Sequence, residues 1–127
     1  MAEEKRKIEV CIISDIHLGT RACHAAELNR YLKSIDPTIL IINGDWLDIW
    51  NFGAGYFPQE HIENVFLVLD MARQGIPVYY ITGNHDDHMR NFSGYRFDTL
   101  QLRDEIILEL DGKKHWIFHG DKYDLSV

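Results

Sequence analysis

Three short runs of β-branched and apolar residues, 8–14 (IEVCIIS), 38–43 (TILIIN) and 77–82 (PVYYIT), constrain the fold of this 127-residue chain most. Their hydrophobicity is continuous rather than alternating, as in strands covered on both faces of a parallel sheet. Between the first two runs, Leu28, Tyr31, Leu32 and Ile35 recur at i, i+3, i+4, i+7. That spacing predicts a helix with one apolar stripe, stopping before Asp36-Pro37. Ile62, Val65, Phe66 and Leu69 repeat the spacing between the second and third runs, with Pro58 suited to a first helical turn and Gly75 to a C-terminal cap. Downstream, 105–110 (EIILEL) and 114–118 (KHWIF) flank Asp111-Gly112, a strong hairpin signal. The order βαβαβ followed by a β-hairpin, with no repeat or linker, predicts an α/β sheet with helices packed on it, as one domain over residues 1–127.

Composition narrows the class. Hydrophobic residues at 46% and charged residues at 26% exclude wholesale disorder and fibrous repeats. The length supports one core, with roughly 7,000 Å² exposed when folded against about 21,600 Å² unfolded. A formal charge of −7, from 20 acidic and 13 basic residues, argues against non-specific nucleic-acid binding, because nothing broad neutralises phosphates. The one basic cluster, Lys5, Arg6 and Lys7, reads as a solvated tail. Cys11 and Cys23 have no metal-site spacing and read as reduced thiols, which predicts a cytoplasmic location. The N-terminal MAEEKRKIEV has no signal-like apolar stretch and the aliphatic run 39–42 is too short to span a bilayer, so any membrane contact is expected to be peripheral.

The chemistry-bearing residues cluster just past the ends of the predicted strands, where open α/β sheets place ligand sites. Asp15 and His17 follow the first strand (SDIHLG); Gly44, Asp45 and Asp48 follow the second (NGDWLD). Gly83, Asn84, His85 and Asp86 follow the third (TGNHDD), and His119, Gly120 and Asp121 follow the last (FHGD). Asp15 and His17 can both turn to a common centre once the chain leaves the strand. A mixed carboxylate and imidazole set suits Mn, Fe or Zn, whereas Mg or Ca would not call for the histidines. One carboxylate such as Asp45 can bridge two ions about 3.5–4 Å apart. Gly44, Gly83 and Gly120 would let the backbone turn tightly beside the ligands.

These blocks, DIH, GDWLD, GNHD and HGD, resemble the successive signatures of the calcineurin-like metallophosphoesterases. GDWLDIW, GNHD followed by a basic residue, and DGKKHWIFHGD are most similar to the branch containing UDP-2,3-diacylglucosamine hydrolases of lipid A synthesis. The resemblance covers about residues 8–121. It implies that Asp15 and His17 bind a first metal, that Asp45 bridges two, and that Asn84 and His119 bind the second, with Mn the expected ion and Fe or Zn as alternatives. It also implies that His85 faces the substrate phosphate beside Asn84, that Asp48 orients His85, and that a metal-bound hydroxide attacks phosphorus in line. Arg90 is a candidate to pair with a phosphate or an anionic head group.

Two departures stand out. The lipid A hydrolases often carry Arg where His85 stands, and the family's late Gly-His-x-His block has no counterpart before Val127. The chain is therefore expected to be the amino-terminal half of a metallophosphoesterase α/β sandwich, with exposed sheet edges that favour self-association. The expected function is metal-dependent hydrolysis of a phosphoester or pyrophosphate bond in a phosphorylated small molecule or lipid-nucleotide. The competing readings are another calcineurin-like phosphodiesterase or nuclease, and an inactive metal-binding remnant. A nucleotide-binding domain is disfavoured because no glycine-rich phosphate loop follows the first strand. Trp46, Trp50, Phe52, Tyr56 and Phe57 read as loop packing. Asp86 and Asp121 read as turn-forming or supporting residues, and His24, His61 and His115 are assigned no chemistry.

Overall fold

The computed structural model describes residues 5–20, 23–46, 58–81 and 96–118, the first two residues of the last stretch by backbone alone. The elements run β1 (Arg6–Ile13), α1 (Ala25–Lys33), β2 (Ile35–Asn43), α2 (Gln59–Arg73), β3 (Val78–Ile81), β4 (Arg96–Phe97), β5 (Leu100–Arg103), β6 (Glu105–Leu110) and β7 (Lys113–Phe118). The first five reproduce the predicted βαβαβ order, and the last two form the predicted hairpin. Strands β1, β2, β3 and β5 pair in parallel, with β4 antiparallel on the far edge, in the order β1-β2-β3-β5-β4.

The inner strands β2 and β3 are covered on both faces, which explains their continuous apolar runs; β1, at the sheet edge, leaves Ile12 52% exposed. On one side Leu40, Ile42, Val78 and Tyr80 pack with Leu32 of α1 and Val68, Met71 and Ala72 of α2. On the other, Ile41 and Ile81 meet Ile106 of the hairpin, with Val10, Ile39, Tyr79, Leu108 and Ile117 around them. Asp111 (φ 53°) and Gly112 (φ 76°) supply the two left-handed residues that a two-residue hairpin turn needs.

Several boundaries differ from the sequence reading. Ile35 is not the end of the first helical stripe. The helix stops at Lys33, with Ser34 as its cap, and Ile35 opens β2, fully covered and in register with Arg6. The strand then runs through Asp36-Pro37, where Pro37 replaces no essential donor at the start of the pairing. Arg6 and Lys7 belong to β1 rather than to a tail, although both are exposed. The face of α2 is also rotated from the expected one. His61, Asn64, Val68, Met71 and Ala72 are buried, whereas Ile62 is 42% and Phe66 61% exposed. Val65 and Leu69 pack at the margin of the core. Pro58 stands at the N-cap rather than in the first turn, and Gly75 (φ 95°) follows the C-cap as expected. β4 and β5 were not anticipated. Thr99, just before β5, donates its hydroxyl to the Ala72 carbonyl (2.9 Å) and to that of Ile76, fastening the strand to the end of α2.

Candidate metal centre

β1 ends at Ile13 and β2 at Asn43, and the chain turns immediately after each. Asp15 (φ 53°), His17 (φ 56°) and Asp45 (φ 54°) all take left-handed backbone conformations, as does Gly44 (φ 79°) beside Asp45. Non-glycine residues rarely do so, and such strain concentrates at functional sites. The two turns are locked together: His17 donates its N–H to the Asp45 carbonyl and Leu18 to the Trp46 carbonyl, each at 2.8 Å. Thr20 caps the first turn by donating its hydroxyl to the His17 carbonyl (2.8 Å).

This backbone brings one donor atom each from Asp15, His17 and Asp45 to within 4.8 Å of one another. His17 Nε2 and Asp15 Oδ1 are 3.9 Å apart, beyond hydrogen-bond distance but within the reach of two metal–ligand bonds of about 2.0–2.2 Å each. Asp45 is buried, His17 half-buried and Asp15 exposed, so the inner ligand is shielded while the outer one faces solvent. A cleft of about 260 Å³ lined by Ile13, Ser14, Asp15, Ile16, His24 and Leu28 opens beside Asp15. Two carboxylate oxygens and an imidazole nitrogen fit a borderline divalent ion such as Mn, Fe or Zn.

Of the residues singled out from the sequence, the structure thus gathers Asp15, His17 and Asp45. Asp48, Asn84, His85, Asp86, Arg90, His119 and Asp121 lie outside the described residues, as do Trp50, Phe52, Tyr56 and Phe57. Trp46 does pack as expected, edge-on to Tyr80 with ring centroids 5.2 Å apart.

The sequence reading missed the residues beneath these turns. His61 accepts the Gly19 N–H through Nδ1 at 2.9 Å. Trp46 Nε1 donates to Asn64 Oδ1 (2.8 Å), Asn64 Nδ2 to Asn29 Oδ1 (2.9 Å), and Asn29 Nδ2 to the Glu60 carbonyl (2.9 Å). The available signal was that 61, 64, 68 and 71 share a helical spacing as good as that of the more apolar 62, 65, 66 and 69. Burial pushes the His61 imidazole below its ordinary pKa, with the Glu60 carboxylate partly opposing that shift. Burial likewise raises the thiol pKa of Cys11 and Cys23, both free cysteines.

A parallel sheet presenting two carboxylates and an imidazole just beyond its strand ends is an α/β domain with a candidate metal-binding group. The calcineurin-like phosphoesterase family profile matches residues 8–126, and the chain belongs to that family. It is 32% identical over 112 residues to a UDP-2,3-diacylglucosamine hydrolase of Aeromonas hydrophila, an alignment covering 86% of this chain and 46% of that protein. It is 34% identical over 118 residues to the Histophilus somni protein of the same name, covering 86% and 47%. Among solved structures, a Pseudomonas putida nuclease MPE aligns with 79% of this chain and 50% of its own, at 27% identity and a TM-score of 0.47. The chain spans about half the length of the curated relatives it matches.

Proposed function

We propose that this chain carries the amino-terminal, metal-binding part of a hydrolase acting on a phosphoester or pyrophosphate bond, with a lipid-nucleotide like that named for its relatives as substrate. The convergence of Asp15, His17 and Asp45 on one point, each on a left-handed residue, is the observation that carries this reading. Two divalent ions, Mn foremost, would supply a nucleophile from water at neutral pH and neutralise phosphoryl charge. Asp15, His17 and Asp45 would hold the first ion, and Asp45, Asn84 and His119 would serve the second. His85, oriented by Asp48, would protonate the leaving oxygen or stabilise the charge that develops beside Asn84, and Arg90 would pair with an anionic group of the substrate. The cleft beside Asp15 offers partly apolar walls to the substrate's non-reacting portion.

Both cysteines, Cys11 and Cys23, are free, as is usual in a reducing, cytoplasmic setting. Among the described residues, no helix is long and apolar enough to cross a membrane. The two-stranded hairpin exposes Ile107 and Trp116, which supports self-association through that sheet. A concentration-independent monomer in sedimentation velocity would exclude it.

The functional test is hydrolysis of an aryl phosphodiester and of UDP-2,3-diacylglucosamine, with Mn²⁺ added and then chelated. Turnover that requires Mn²⁺ and is abolished in Asp45→Asn supports the reading. A version extended to the length of its relatives, with the late Gly-His-x-His block, that binds Mn²⁺ yet turns over neither compound overturns the assignment as a hydrolase.

A further inference from the structure

We infer that His61, Asn64 and Trp46 are positioning residues that hold the Asp15–His17 and Asp45 turns in metal-binding geometry from beneath, an inference that rests on the metal-site reading above. All three are buried, at 4%, 0% and 3% exposure, and two of them lie on the face of α2 that the apolar pattern leaves to polar residues. The connections run one to each turn. His61 takes the N–H of Gly19, two residues after His17, across 42 residues of sequence. Asn64 takes the indole N–H of Trp46, the residue after Asp45.

The chemistry of the donors fixes the direction of this network. An indole N–H only donates, so Asn64 must offer it Oδ1 and turn Nδ2 towards Asn29, whose own Nδ2 is then left for the Glu60 carbonyl. A main-chain N–H likewise only donates, so His61 must keep Nδ1 unprotonated and carry its ring proton on Nε2. One helix thereby grips both turns through groups that admit a single arrangement. The turns need such a hold, because three ligand residues with left-handed backbones would relax towards ordinary conformations if released. Hydrogen bonds that support metal ligands from behind commonly set affinity by about 10–100-fold.

Mn²⁺ affinity, read from loss of the free-ion electron paramagnetic resonance signal, tests this without requiring turnover. In His61→Asn the amide oxygen can sit near the position of Nδ1 and accept the Gly19 N–H, whereas His61→Leu fills the space without an acceptor. Trp46→Phe removes the indole donor and keeps the ring. Measured well below each variant's unfolding temperature, His61→Leu should lose about 10-fold or more in affinity and Trp46→Phe several-fold, with His61→Asn restored to within about 3-fold of wild type. Wild-type affinity in His61→Leu, or an equal loss in His61→Asn, overturns the inference. Should His61→Leu lack native circular dichroism, wild-type affinity in Trp46→Phe overturns it instead. A wild-type chain that binds no Mn²⁺ brings down the metal-site reading as well, whereas failure of the variants alone leaves that reading standing.

Discussion

Replacing Asn64 by Leu keeps the side chain's approximate volume while deleting both its amide functions, so the cost isolates hydrogen bonding from cavity formation. Two buried groups lose their partner: Trp46 Nε1, which donates to Asn64 at 2.8 Å, and Asn29 Oδ1, which accepts from it at 2.9 Å. Stranding a buried polar group costs about 1–3 kcal/mol, so the substitution should cost about 2–6 kcal/mol in all, with about 4 as the central value. A domain of this length has a total stability of about 6–19 kcal/mol, which makes the loss large but survivable. With a urea slope of about 2 kcal/mol per molar, the unfolding midpoint should fall by about 2 M at unchanged slope. Adding Trp46→Phe removes the one stranded donor, so the double variant should be more stable than the summed single losses by about 1–3 kcal/mol. A midpoint within about 0.5 M of wild type, or strict additivity in the double variant, would refute the claim that this network is satisfied and buried.

Three further outcomes follow from the same structure. Leu32, fully buried between α1 and the sheet, should cost about 2–5 kcal/mol when changed to Ala, measured by the same urea unfolding. The folded pKa of His61 lies below its unfolded value of about 6.5, so its contribution to stability is complete above that pH. As the pH falls through it the unfolded chain takes the proton first and stability drops; the wild-type urea midpoint should therefore decline more between pH 7.5 and 5.5 than that of His61→Asn. Cys11, 5% exposed and with its thiol pKa raised, should resist Ellman's reagent in the native protein and react promptly in guanidinium, as absorbance at constant pH would report.

How much of this was legible in the sequence depended on whether local pattern or tertiary pairing decided each element. Strands β2 and β3 are covered on both faces, and continuous apolar runs express that directly, whereas the equally apolar run of β1 lies at the sheet edge and leaves Ile12 52% exposed. Asp111-Gly112 marked the hairpin because few dipeptides suit two consecutive left-handed positions. Ile35 misled because a 3.6-residue period happened to continue across the helix end into the first residue of β2. The α2 face misled for a different reason. His61 and Asn64 are buried because distant residues, Gly19, Trp46 and Asn29, satisfy their polar atoms, and hydropathy alone carries no trace of such partners. Strand β5 is four residues long and depends on β3 and on the Thr99 anchor, so its own sequence carries little signal. At the site, Asp15, His17 and Asp45 were readable because each stands just past a strand end. Their left-handed backbones and the support from α2 emerge only in three dimensions.

The central claim is that Asp15, His17 and Asp45 together bind a divalent ion. Anomalous diffraction from crystals grown with Mn²⁺ tests it most directly. The expected result is an anomalous peak bonded to one oxygen of Asp15, one nitrogen of His17 and one oxygen of Asp45, absent from crystals of Asp45→Asn. An anomalous map of metal-saturated crystals with no peak at these three residues would contradict the account.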